Sequence, residues 1–200
     1  MMPVHPKDEI TFLMIKPDGV RRGLIGDIIH RIERTGLKIV ALKMIHATRE
    51  KIDGFYPKDE KWIARLGDKT LAVYQKYGYD PIKELGTDRP EKIGIMVRQW
   101  LLDFMTSAPV VPMAVKGIHA VDKVRRLAGD TMPTNAGFGS IRGDFSVDSA
   151  AAANRDKRAV FNLVHATETQ EEANKEMNYW FDESELTDYR RSDDEVMLPR

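Results

Sequence analysis

The chain has 200 residues, 42% apolar and 31% charged, which suits a globular protein with a substantial core. Lys plus Arg and Asp plus Glu both number 31, so the formal charge is zero; this argues against a general nucleic-acid or anionic-membrane binder but leaves room for a local basic pocket. The absence of cysteine excludes disulfides, thiolate catalysis and zinc–cysteine sites, and no run approaches the roughly 20 apolar residues of a membrane span.

The opening MMPVHPKDEITFLMIKPDG lacks a cationic segment followed by a long apolar one, so no signal peptide is expected and the cytoplasm is the expected compartment. Residues 10–15 (ITFLMI) read as a buried strand closed by the turn Lys16-Pro17-Asp18-Gly19. Leu24, Ile25, Ile28, Ile29 and Ile32 recur at helical spacing before Gly36, and 37–47 (LKIVALKMIHA) form a second strand. Residues 48–56 predict a short helix. The stretch 57–92 is rich in charge, glycine and proline, and reads as an insertion with one or two short helices.

Residues 93–105 predict a helix, 109–117 a third strand, and 119–129 a helix with Val121, Val124 and Leu127 as its stripe. A turn-rich loop follows over 129–145, too rich in specific side chains for a linker. The small-residue stretch 146–158 reads as a surface excursion, part of a second insertion over 146–161. Residues 159–165 (AVFNLVH) predict a fourth strand. A helix follows over 169–181, with Thr169 and Glu172 forming a capping box, and 182–200 read as a polar tail on the surface. The order predicts one domain over 1–200: an α+β fold with a ferredoxin-like βαββαβ antiparallel sheet, helices packed on it and a helical insertion.

Some motifs can be set aside. Gly67-Asp68-Lys69-Thr70 lacks the spacing and Gly-Lys pair of a P-loop, and the third glycine of Gly137-Phe138-Gly139-Ser140-Ile141-Arg142-Gly143 comes one place late for a dinucleotide fingerprint. No histidines are paired at metal-ligand spacing. Lys16 at a strand end and Arg125, Arg126 and Arg142 around the long loop would together make a polyphosphate pocket. On local grounds His165 is either a structural histidine ending a strand or a reactive one. Glu176, on the following helix with Thr169 and Glu172, stands where a reversal brings a carboxylate back to the imidazole, fixing its tautomer and freeing the other nitrogen.

Six stretches together, 12-FLMIKPDGVRRGLIGDII-29, 107-SAPVVPM-113, 129-GDTMP-133, 139-GSIRGDF-145, 162-NLVHATET-169 and 173-ANKEMNYWF-181, give the chain a specific resemblance to the nucleoside diphosphate kinases. The resemblance implies reversible transfer of the terminal phosphate from ATP or another nucleoside triphosphate to a diphosphate, by a ping-pong route through phosphohistidine. It makes His165 the nucleophile, Glu176 its orienting carboxylate and Lys16 a catalytic cation. Lys16, Arg125, Arg142 and Asn162 would hold phosphate and ribose, Thr131 a phosphate oxygen, and Tyr56 would stand near Lys16.

It further implies Mg2+ carried by the nucleotide phosphates, with no direct protein ligand, and a homo-oligomer, a hexamer above a tetramer or dimer; no membrane or specific nucleic-acid partner is expected. The chain departs from the family at the base site. Val97 stands where the family stacks a phenylalanine, with Leu101 as aliphatic partner, which predicts weaker base binding or a ring from 57–92: Tyr74, Tyr77 or Tyr79. Ala166-Thr167 follow His165 in place of Gly-Ser, keeping a hydroxyl within reach of Glu176. The rival readings are a regulatory nucleotide-binding protein and, against the neutral charge, a scaffold or nucleic-acid binder.

Overall fold

The apolar run at 10–15 forms β1 (Ile10–Ile15), and its alternation sorts two cores. Phe12 and Met14 point into one core, Leu13 and Ile15 into the other, and all four are fully buried. The structure is a computed structural model and describes residues 5–197. Its four-stranded sheet runs β2 (Lys38–Leu42), β3 (Val111–Lys116), β1, β4 (Val164–Ala166), antiparallel at every pairing. This is the strand order of a ferredoxin-like sheet.

Helices close both faces. On one side lie α2 (Ile25–Glu33) and α7 (Ala120–Ala128), burying Ile28, Ile32, Ala120 and Val124 against Leu13, Ile15, Met113 and Val115. On the other lie α3 (Arg49–Phe55), α6 (Pro90–Met105) and α10 (Gln170–Trp180), whose Ile52, Leu102, Met105 and Trp180 cover Phe12, Met14 and Ala114. The turn after β1 is a single helical turn, α1 (Pro17–Arg21).

Four local expectations are corrected. The stretch 57–92 holds one long helix, α4 (Glu60–Tyr77), and one short one, α5 (Pro81–Leu85). Gly67 does not break α4 but lets it cross α6, since a Cβ there would strike Pro90 O; Gly94 of α6 faces Ile63 O in the same way. The excursion at 146–158 folds into α9 (Ala150–Arg155), which docks on α4 and buries Ala153; Arg155 lies 3.4 Å from Glu84 and stacks over Tyr79.

The fourth strand shrinks to Val164–Ala166 because Leu163 has a φ of 68°, which interrupts the extended run. The capping box at α10 is half formed. Thr169 Oγ1 accepts from Glu172 N at 3.2 Å, but the Glu172 carboxylate accepts from Glu168 N, one residue before the cap. The long loop contains α8 (Ile141–Phe145), capped by Ser140.

The tail lies on the surface beside β2. Thr187 N–H donates to Val40 O at 2.8 Å, Lys38 Nζ donates to Tyr189 O at 2.8 Å, and Arg191 donates to Glu33 O and Leu37 O. It ends in α11 (Asp194–Met197), and residues 198–200 of the expected tail lie outside the described residues.

Candidate active site

Strand β4 pairs antiparallel with β1, setting His165 opposite Met14. The imidazole stands among the rings of Phe12, Phe55 and Tyr56, at centroid distances of 6.0, 5.3 and 6.4 Å. Helix α10 returns over β1, and its second turn brings both Glu176 carboxylate oxygens to 2.8 Å from His165 Nε2. Thr167 Oγ1 lies 2.9 Å from Phe12 O and 3.1 Å from Glu176 Oε2, so its single proton is shared between the carboxylate and β1. A carboxylate at Nε2 favours the tautomer protonated there and leaves Nδ1 with its lone pair. Nδ1 makes no hydrogen bond among the described residues.

A buried polar cluster adjoins the histidine. Lys16 Nζ donates to Asn162 Oδ1 at 2.7 Å, and Asn162 Nδ2 donates to Thr131 O at 2.9 Å. Arg142 is buried, and its guanidinium donates to Asn162 O, Gly129 O and Val164 O at 3.1, 2.7 and 2.8 Å. Burial lowers the Lys16 pKa to about 8, with nearby Arg142 adding to the fall and Asp18 opposing it. Burial also takes Arg142 down to about 10. Two cations held this close with little solvent are an electrostatic deficit that an anion would relieve.

The same segment carries a backbone outlier. Val164 N–H donates to Asn162 O at 2.7 Å across Leu163, closing a three-residue turn at the φ of 68°. This is the rare, strained form of the γ-turn, and for a leucine it costs about 1–3 kcal/mol. Leu163 is fully buried; its N–H donates to Asp18 Oδ2 at 3.0 Å and its carbonyl accepts from Lys16 N at 2.8 Å.

Arg125 and Thr131 border a cleft of about 410 Å³ together with Arg126, Arg142, Ala166 and Glu168. Arg125 donates to Glu168 O at 2.9 Å. Tyr56 is buried with its hydroxyl unpartnered among the described residues, and burial raises its pKa, with the Glu176 charge adding to the rise.

The expected base-site residues do not all gather there. Val97 packs with Tyr74, Leu85 and Ile93, so the insertion covers it; Tyr74 and Tyr79 belong to that satellite core, and Tyr77 stacks on Tyr79. Leu101 instead packs against the core under the histidine. The ring of the insertion that does stand near the site is Trp62, at the start of α4, 6.5 Å from Tyr56 and inclined by 28°. Its position depends on the corner at 57–59, which no periodicity marks.

A family model described as nucleoside diphosphate kinase matches residues 9–63 and 94–186. The chain belongs to the nucleoside diphosphate kinase family. It is 49% identical over 185 residues to the nucleoside diphosphate kinase of Pyrobaculum aerophilum, covering 92% of this chain and 99% of that one. A crystal structure of an NDP kinase from that organism superposes with a TM-score of 0.87 at 47% identity, over 90% of this chain and 100% of the other. A structure of nucleoside-diphosphate kinase from Borrelia burgdorferi, a transition state mimic with bound vanadate and ADP, superposes at 0.70 with 33% identity, over 94% and 95%. Residues 64–93, left unmatched by the family model, span most of α4, all of α5 and the start of α6.

Proposed function

We propose that His165 Nδ1 accepts the terminal phosphate of a nucleoside triphosphate and passes it to a nucleoside diphosphate. The reaction is the family's phosphotransfer, and the chain is a nucleotide phosphotransferase. In the first half, the Nδ1 lone pair forms a bond to the γ-phosphorus as its bond to the leaving diphosphate oxygen breaks. In the second, the β-phosphate oxygen of the acceptor diphosphate displaces the imidazole. The proton on Nε2 stays in place, and the charge developing on the phosphorylated ring faces Glu176. The observation that carries this reading is the paired 2.8 Å contact that leaves Nδ1 free.

Lys16, Arg125, Arg142 and Thr131 supply positive charge and a hydroxyl to the phosphates, and Asn162 and Tyr56 line the approach. Such chemistry needs positioning and charge neutralisation above all. Lys16 and Arg142 already donate to Asn162 and backbone carbonyls, so they are held in place before a nucleotide arrives.

Asp130 and Glu168 border the cleft, and no group of three metal-ligating side chains occurs among the described residues. Mg2+ brought on the nucleotide phosphates would have these two carboxylates beside it as acceptors for its water ligands. When bound, the ion neutralises phosphate charge.

For the base, Trp62 takes the part expected of Val97, with Leu101 as its aliphatic neighbour. Their common core and the proximity of Trp62 to Tyr56 support this. The chain acts in the cytoplasm as a homo-oligomer, a hexamer by its resemblance. Phe138 and Val147, 98% and 95% exposed, are apolar surface that a partner copy would cover.

The test is phosphate exchange between ATP and a panel of diphosphates, with light scattering for assembly. The wild-type chain converts purine and pyrimidine diphosphates alike and His165→Ala converts none; exchange by His165→Ala would remove this reading.

A further inference from the structure

The strained turn at Leu163 needs something to hold it. Leu163 sits between Asn162, which holds Lys16, and Val164, which leads into His165. Relaxing its φ from 68° to the extended region would rotate Asn162 away from Lys16 and shift β4 against β1. Three hydrogen bonds within the turn or to Leu163 oppose that relaxation. Val164 N–H to Asn162 O and Lys16 N–H to Leu163 O are backbone bonds. The third, Leu163 N–H to Asp18 Oδ2, is the one that a side chain makes to Leu163 itself, while Arg142 holds the flanking carbonyls of Asn162 and Val164.

Asp18 is itself an unusual group. It is only 8% exposed, and its Oδ1 has no partner among the described residues. A half-satisfied buried carboxylate is costly, so its presence here points to a use for the oxygen that is bonded. An ionised acceptor makes a stronger bond to an amide than a neutral one. The remaining non-glycine residues with positive φ among those described, His119 and Lys157, are exposed: His119 precedes α7, and Lys157 follows the end of α9, where such a conformation is common.

We propose that Asp18 is a positioning residue of the phosphotransfer site: its carboxylate pins the Leu163 amide, and the pinned turn sets Asn162 and His165 for the nucleotide. This rests on the phosphohistidine reading above. It also gives the negative charge of Asp18 a separate, smaller part. Asp18 lies close enough to Lys16 to favour the ammonium form, so position and charge can be told apart by substitution.

Asp18→Asn keeps an acceptor oxygen in the same place without the charge. Asp18→Glu keeps the charge but moves it by one methylene. Asp18→Ala removes both. If the pin is what matters, Asp18→Asn retains kcat within a few-fold, while Asp18→Glu and Asp18→Ala lose kcat by about 10²-fold, the scale of a small misplacement of reacting groups, with KM moving less. The alkaline limb of kcat/KM shifts to lower pH in Asp18→Asn and Asp18→Ala, where Lys16 loses its neighbouring charge, and stays put in Asp18→Glu.

Melting temperatures taken alongside separate loss of position from loss of fold, and if Asp18→Ala does not fold, the Asn and Glu variants alone decide. The inference is overturned if Asp18→Asn loses kcat as far as Asp18→Ala, if Asp18→Glu matches the wild type, or if all three do. These outcomes differ from failure of the phosphohistidine reading, which would show in the wild-type chain as transfer without a phosphorylated histidine.

Discussion

Both carboxylate oxygens of Glu176 lie 2.8 Å from Nε2 of His165, and Thr167 Oγ1 reaches one of them at 3.1 Å. The carboxylate thus orients the ring, and in the proposed transfer its charge matters most once the ring becomes cationic on phosphorylation. Glu176→Gln removes that charge at nearly constant shape. It is expected to lower kcat by about 10²-fold and KM hardly at all, in steady-state assays with ATP and GDP.

Lys16 gives the site a pH dependence with a defined sign. Its folded pKa is lowered to about 8, chiefly by burial, so the ammonium is present below that pH and lost above it. The kcat/KM of the free enzyme should fall through an alkaline limb near pH 8, about tenfold per pH unit at its steepest. Bound phosphates add negative charge beside Lys16 and raise its pKa, so the limb in kcat lies at higher pH. A pH series from 6 to 10 checks both.

If Trp62 stacks on the base, Trp62→Ala should raise KM roughly tenfold for purine and pyrimidine nucleotides with kcat little changed, since a base–aromatic contact is worth about 1–3 kcal/mol. Trp62→Phe should restore most of the loss. Tyr77→Ala should leave KM unchanged, because Tyr77 stacks on Tyr79 within the insertion.

Gly94, at the crossing of α4 and α6, and Gly26, in α2, should behave oppositely on substitution. Gly94→Ala forces a Cβ against Ile63 O, a backbone atom that cannot swing away, and should destabilise the fold by about 1–3 kcal/mol. Gly26→Ala in α2 meets nothing within 4 Å and should be neutral or stabilising by about 0.4–1 kcal/mol. Thermal melts of the two variants would separate them.

The sheet was legible because β1 and β3 are continuous apolar runs, and the helical stripes of α2 and α7 repeat at the spacing of the residues they bury. What stayed hidden was tertiary. Gly67 carries the same letter whether it breaks a helix or admits a neighbour, and only the nearness of Pro90 O decides. The sequence AVFNLVH reads as a strand because nothing at position 163 announces a positive φ; a leucine is held there by bonds from Asp18 and Lys16, distant in the chain. Val97 holds the expected register of the base site, but an insertion with helices of its own precedes it and packs against it. His165 and Glu176 were legible as a pair because the strand-to-helix reversal between them is short.

The destination of the phosphate decides the mechanism. The chain should be incubated with ATP labelled on its terminal phosphate, quenched, and the modified residue and atom identified. The label should be on Nδ1 of His165, stable to base, labile to acid, discharged by added GDP and absent from His165→Ala. Label on Nε2 or on another residue, or GTP formed with no labelled chain at any time, would contradict it.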